Sequence, residues 1–426
     1  MSNELRNTNQ QIVVNKYLAA DPLQTTLVLS TGFGKSKVTI DILKMKMPLK
    51  VLILVNSTEL RDFSWKDEFI KFDMEDFFRH RVELYTYQAA YKWKPKNVDL
   101  SEVFIVADEA DFAADVPAFS KFFYNYHNCK ILALTGFITG SKLAWFHKHL
   151  PILVRYSSEQ AQADSVLNKM EFIFVKYDLS RNPQDIKIDY KKAGVAKHFH
   201  QSENNAYIYA QKQFQIMVGR KAKLENDFKI GIVDFEEYDV SSKRLNYSIK
   251  RFSSDRSNVL LNSIASADMA KKLLSFVLAD DNNKALVFSK RTSQSLKICG
   301  PDRTYNGTTS AKELKIRMDQ FNSGLIRVLG VCDKVNRGAN INRLNVAILE
   351  TFYGSDTKAA QRFGRLMRLM PDEIATVYVL LPFYLKPDKD GVFQSKETQQ
   401  CSWARDMLRS TNVKLSKVWD YRTVKT

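Results

Sequence analysis

A chain of 426 residues, 45% hydrophobic and 26% charged, has the composition of a globular protein and exceeds the length that one core organises, which predicts two or three domains. Its 64 Lys and Arg against 47 Asp and Glu give a formal net charge of +17, an excess that attracts polyanions, nucleic acid foremost. No apolar run reaches the roughly 18–20 residues of a membrane span, the start MSNELRNTNQQIVV lacks a secretory signal's basic and apolar regions, and four scattered cysteines form no C-x-x-C pair; a membrane protein, a disulfide scaffold and a zinc knuckle are not expected, and a reducing cytoplasm is.

Short apolar runs recur through the first third: TTLVLS (25–30), VLILV (51–55), VELYTY (82–87), VFIVA (103–107) and ILALT (131–135). Each has the length of a buried strand, and the segments between them have helical period. LRDFSWKDEFIKF (60–72), for example, puts Phe63, Phe69 and Phe72 near one face. Strands alternating with helices predict a parallel sheet covered on both sides. The rhythm returns in ALVFS (285–289), IRVLGV (326–331), VAILET (346–351) and TVYVLL (376–381), which predicts a second α/β domain. Between them lies a stretch rich in Lys and Gln with the helix-like NAYIYAQKQFQIMVGRKAKLEN. The expected division is a first domain at 1–155, a partly helical connector at 156–256, a second domain at 257–385 and a basic tail at 386–426.

STGFGKSK (30–37) follows the first strand run and opens a helix. Gly32 and Gly34 let the backbone curl until its N–H groups converge, and the helix N-terminus adds partial positive charge, so this is a phosphate cradle. Lys35 can reach β- and γ-phosphates, and the Ser36 hydroxyl is placed for Mg²⁺. Leu29 stands where the full phosphate-loop pattern has Gly or Ala. VFIVADEADF (103–112) places Asp108 just past the end of a central strand, on the ligand side of an open parallel sheet. There a carboxylate can hold Mg²⁺ through its water shell, and Glu109 can polarise or deprotonate an attacking water. Asp111 is expected to cap the next helix.

STGFGKS followed by ADEAD resembles motifs I and II of superfamily 2 helicases and translocases, and further segments follow in that family's order. The resemblance implies two tandem RecA-like domains that close on ATP and Mg²⁺, with Thr31, Gly32, Phe33, Gly34, Lys35 and Ser36 around the nucleotide. LRNTNQQIVV is similar to the segment whose glutamine reads adenine, which implies Gln10, with Gln11 second. NSTEL (56–60) and TYQ (86–88) stand where the family contacts nucleic acid, implying Ser57, Thr58, Thr86 and Gln88. LTGF (134–137) implies that Thr135 couples hydrolysis to grip. LVFSKR (286–291) looks like motif IV, with Ser289 and Lys290 on the strand. VCDKVNRGANI (331–341) looks like motif V, with Cys332 toward nucleic acid and Gly338 and Asn340 toward nucleotide. Cys332 replaces the usual threonine there, and Asn340 the usual aspartate. QRFGRLMR (361–368) resembles motif VI; Arg365 and Arg368, three apart on a helix, share a face, and the resemblance implies that they and Gln361 address the γ-phosphate.

NSTEL, LTG, NRGAN and QRFGRLMR depart from the PTREL, SAT, ARGxD and HRxGRxGR of DEAD-box RNA helicases. They are closer to type III restriction translocases, RecG-like enzymes and phage branch-migration helicases, which act mainly on DNA. The expectation is a monomeric, phage-encoded ATPase of the host cytoplasm that moves along DNA and unwinds or remodels a fork or junction. An RNA track and an ATP-gated nucleic-acid clamp with little turnover are the alternatives, and Glu109, Arg365 and Arg368 speak against the clamp. HFH (198–200) lacks companions at metal-ligand spacing, so no metal but Mg²⁺ is expected; FFYNYH (122–127) reads as helix core, and PDKDGVFQSKE (387–397) lacks the rest of a nuclease signature.

Overall fold

A computed structural model describes residues 2–56, 65–94, 99–138, 140–192, 195–305, 309–332, 341, 343–351, 373–410 and 414–423. The first half runs α1 (Ser2–Ala20), β1 (Gln24–Leu29), α2 (Lys35–Lys46), β2 (Lys50–Val55), α3 (Trp65–Lys71), α4 (Glu75–Arg81), β3 (Val82–Thr86) and α5 (Tyr87–Ala90). It continues through β4 (Val103–Asp108), α6 (Pro117–Asn125), β5 (Lys130–Thr135), α7 (Gly140–His149), β6 (Ile152–Tyr156) and α8 (Ser158–Ala163). The strands form one parallel sheet in the order β3-β2-β4-β5-β1-β6.

Both faces of this sheet are covered, as the unbroken apolar runs require. Leu27, Ile53, Val106 and Leu132 enter one core, with Val13, Val14 and Tyr17 of α1. Their neighbours Val28, Leu52, Ile105 and Ile131 enter the other, beneath Phe122, Phe123 and Phe146. Alternation of side chains along a strand makes one residue run serve two cores. Phe122 and Phe123 are core, whereas Tyr124 of the same segment is 75% exposed.

The chain then enters β7 (Lys169–Asp178), a hairpin of β8 (Ile186–Lys192) and β9 (Val195–Gln201), and two long helices, α9 (Glu203–Lys229) and α10 (Phe235–Leu261). The second half follows as α11 (Ile264–Leu278), β10 (Ala285–Ser289), α12 (Thr292–Cys299), β11 (Thr304–Tyr305), α13 (Ala311–Ser323), β12 (Val328–Cys332), β13 (Val346–Leu349) and β14 (Ile374–Pro387). It closes with β15 (Phe393–Glu397), a helix over Gln399–Ser410 and β16 (Leu415–Asp420). The second sheet has the order β11-β12-β10-β13-β14-β7-β16, with β15 antiparallel to β14. Among the described residues, no helix is long and apolar enough to cross a membrane.

Strand pairing divides the chain differently from its composition. The segment expected to be connector supplies β7, which pairs in parallel with β14 over ten residues, from Lys169 against Ile374 to Asp178 against Phe383. Lys169, Glu171 and Lys176 flank its buried Phe172–Val175 core, so the run looks too short and too charged to be central. The expected basic tail also belongs to this sheet: β16 lies along β7 in parallel. Every residue of β16 is exposed except the half-buried Trp419, the composition of an edge strand facing water.

Candidate active site

Carboxyl ends of the parallel strands meet along one edge of the first sheet. Val28 stands opposite Thr135, Leu134 opposite Asp108, and Ala107 opposite Leu54. The turn after β1, the acidic turn after β4 and the end of β5 are therefore neighbours, whatever their separation in sequence.

After β1 the backbone turns at Gly32 (φ 92°) and Gly34 (φ 98°), the latter preceding the first residue of α2. Phe33 between them is buried and packs on Tyr156 at a ring separation of 4.6 Å, so it pins the loop while its side chain stays in the core. The buried Gln10 amide donates to the Phe33 carbonyl oxygen at 2.6 Å. Gln11 turns outward, its amide on Asn15 Oδ1 at 2.9 Å. Of the two glutamines, Gln10 meets the loop. Thr31 and Ser36 flank the cradle, half-exposed.

Lys35 Nζ lies 3.2 Å from Glu109 Oε1, both side chains largely sequestered. Glu109 adopts φ 52°, a left-handed conformation that a non-glycine residue holds at a cost of about 1–2 kcal/mol. That kink reverses the chain directly after Asp108. Trp65 Nε1 donates to Asp108 Oδ2 at 3.2 Å, the Glu109 N–H donates to Asp108 Oδ1 at 3.0 Å, and the Tyr87 hydroxyl donates to the Asp108 carbonyl oxygen at 3.0 Å. Asp111 is not a helix cap. It is buried, accepts from the Thr135 hydroxyl at 3.1 Å, and has Lys142 Nζ 3.8 Å from its carboxylate and 2.8 Å from its carbonyl oxygen. Thr135 is thus wired to the acidic turn across the β4–β5 pair.

Burial, and then the charge of Glu109, pushes Asp108 and Asp111 well above the usual carboxylate range. Burial works against the Lys35 ammonium, but Glu109, Asp108 and Asp111 together outweigh it and hold it above its ordinary value. Three carboxylates against two lysines, Lys35 and Lys142, leave the edge short of positive charge. Hard oxygen donors in that state suit a divalent cation, and Asp108, at the end of β4, is the one placed last on its strand.

Glycine is required at a further point. A Cβ built on Gly136 would come 2.9 Å from Thr31 Oγ1 and 3.4 Å from Lys35 Nζ, so the LTG of this chain lets the end of β5 lie against the cradle. Sequence reasoning missed Trp65, Tyr87 and Lys142 as supports. A tryptophan opening an otherwise charged helix was the available signal for Trp65, since buried indole N–H groups seek an acceptor; Lys142 had none.

In the second sheet Ser289 and Cys332 stand opposite each other at the strand ends, and Cys332 Sγ donates to the Lys290 carbonyl oxygen at 3.1 Å. Thr86 ends β3 and Gln88 is exposed on α5. Ser57, Thr58, Gly338, Asn340, Gln361, Arg365 and Arg368 lie outside the described residues.

Residues 265–370 match the helicase conserved C-terminal domain. The whole chain is similar in fold to the ATP-dependent Type ISP restriction-modification enzyme LlaBIII bound to DNA, at TM-score 0.59 and 14% identity. That similarity covers 98% of this chain but only 31% of the other, so this chain spans about a third of that enzyme. The Pyrococcus furiosus Hef helicase domain is similar at TM-score 0.50 and 16% identity, over 93% of this chain and 97% of that one. S. cerevisiae Dbp5 bound to RNA and ADP BeF3 is similar at TM-score 0.54 and 9% identity, over 94% and 86%. No curated protein matches in sequence. Two helix-flanked sheets, parallel but for β15, with this domain in the second half, have the fold of tandem RecA-like domains. The family match covers residues 265–370, and beyond them the likeness to these proteins is one of fold.

Proposed function

We propose that this protein is a nucleic-acid-dependent ATPase that translocates along DNA and unwinds or remodels it, at a fork or junction, through cycles of closure between its two domains. The Lys35–Glu109 pair at 3.2 Å beneath the glycine turn carries this reading. Without nucleotide, Lys35 neutralises Glu109. Phosphates entering the cradle compete for Lys35 and release Glu109 to accept a proton from the attacking water, so occupancy switches on the base. Mg²⁺, held by Asp108 and Ser36, would offset charge on the β- and γ-phosphates. Gln10 would report an adenine through its grip on the Phe33 carbonyl. Arg365 and Arg368 would complete the site on closure, with Thr135 linking the acidic turn to the nucleic-acid grip and Ser289, Lys290 and Cys332 holding the strand from the second sheet.

DNA is favoured by the departures from DEAD-box motifs and by the likeness to a restriction enzyme bound to DNA; a phage origin and a monomeric motor fit the same pattern. The decisive measurement is ATPase rate against single-stranded, duplex and forked DNA and against RNA. Stimulation by forked DNA well above RNA is expected, and equal stimulation by RNA overturns the DNA track. Lys35→Ala and Glu109→Gln should each lower the stimulated rate at least about 100-fold. Wild-type turnover in either variant removes the proposed chemistry.

A further inference from the structure

Helices α9 and α10 form an arm of 27-residue helices, about 40 Å long at 1.5 Å per residue. Its root is fixed in the second domain. The Glu203 carboxylate accepts from Ser263 Oγ at 2.9 Å and from the Ile264 N–H, Asn204 exchanges two hydrogen bonds with Leu385, and Tyr207 packs on Tyr384 at 5.1 Å.

Charge is segregated along the arm. Its shaft (204–224 and 240–258) carries nine Lys and Arg against one acid, Asp255, while its tip (225–239) carries six acids against one lysine. On α10 the shaft cations are ordered. Lys243, Tyr247 and Lys250 follow at intervals of four and three, with Arg244 and Arg251 beside them, so the five share one side of the helix. All five are exposed, Tyr247 by 70%. Lys243 pairs with Asp239 at 2.6 Å and Arg251 with Asp255 at 3.9 Å, both within the helix. Exposed pairs of this kind are weak and yield to a polyanion.

We infer that this side of α10 is a binding surface for single-stranded nucleic acid outside the motor cleft, the four cations taking phosphates and Tyr247 stacking on a base. Four positive charges around an exposed aromatic match a strand's alternation of phosphate and base. A duplex hides its base faces and would leave Tyr247 without a purpose. The acidic tip sets the end of this surface, because it repels the backbone that the shaft attracts. This inference rests on the proposed nucleic-acid track.

The test compares wild-type protein with two variants, Lys243→Gln/Arg244→Gln/Lys250→Gln/Arg251→Gln combined and Tyr247→Ala. Glutamine keeps helix propensity, and circular dichroism verifies folding. Binding of labelled single-stranded and duplex oligonucleotides is followed by anisotropy across a salt series, alongside ATPase at saturating strand. The fourfold variant should bind single strands about tenfold or more weakly, with a salt slope shallower by up to about 3. Tyr247→Ala should lose roughly fivefold or more on single strands with the slope unchanged. Maximal ATPase should stay at the wild-type rate in both. Unchanged strand affinity and slope in the fourfold variant overturns the assignment and leaves the arm to a protein partner. Equal losses on duplex, with no effect of Tyr247→Ala, overturn its single-strand form. If wild-type protein neither binds nor responds to nucleic acid, the proposed function has failed instead.

Discussion

At Asp108 the demands of the proposed chemistry and of folding oppose each other. Burial and the neighbouring Glu109 raise its pKa above the unfolded value near 4. A carboxylate raised in this way binds its proton more tightly folded than unfolded, so its contribution to stability is present at low pH and is lost as pH rises through the folded value. In the absence of metal and nucleotide, Asp108→Asn should therefore remove this penalty, ~1.4 kcal/mol per pKa unit, against the similar cost of turning an amide NH2 toward Trp65 Nε1 or the Glu109 N–H, so that stability rises relative to wild type as pH increases. It should also flatten the pH dependence of stability just above the usual carboxylate range. Urea titrations between pH 4 and 8 measure both effects. The same variant should lose nucleotide hydrolysis, and a variant that is both more stable and fully active would contradict the opposition. Asp108 and Glu109 stood out in the sequence because they follow an apolar strand run. The roles of Trp65 and Tyr87 did not, because their hydrogen bonds to Asp108 join residues 43 and 21 positions apart.

Between β1 and α2 lies the short glycine turn proposed to hold the phosphates. Gly34 has φ 98°, and a Cβ there would come 2.3 Å from Gln10 Nε2. Gly34→Ala should thus both strain the turn, by about 1–2 kcal/mol, and push Gln10 off the Phe33 carbonyl. The expected result is a tenfold or greater loss of ATP affinity by calorimetry, with the fold retained by circular dichroism; undiminished affinity would separate the turn from nucleotide binding. Glycine spacing and the strand-to-helix transition made this turn legible. That Gln10, on a helix before β1, is the residue closing it from behind follows only from how α1 packs on the sheet.

Across the whole molecule, the second sheet is completed by segments that bracket it from far away in sequence. Trp419 of β16 packs on Phe276 at 5.5 Å and Tyr378 at 5.2 Å, and Tyr421 N–H donates to the Lys176 carbonyl oxygen at 2.9 Å. Trp419→Ala should lower the stability of the second domain by about 2 kcal/mol, less than a fully buried aromatic would. Nucleotide affinity at the first sheet should be unaffected. Denaturant unfolding with and without nucleotide distinguishes this from a solvated tail, for which the substitution would change nothing.

Local information sufficed for the strand runs, the glycine turn and the acidic turn, because apolar period, left-handed glycine and charge beside a buried strand are properties of a few adjacent residues. The tandem α/β design and its helicase resemblance followed from the order of those units. Tertiary structure alone decided that a connector strand and a tail strand extend the second sheet, that Asp111 serves Thr135 and not a helix end, and that α9 and α10 stand as a charge-segregated arm. Each depends on pairing or packing between residues far apart in the chain, and a parallel partner leaves no mark on the sequence of the strand it joins.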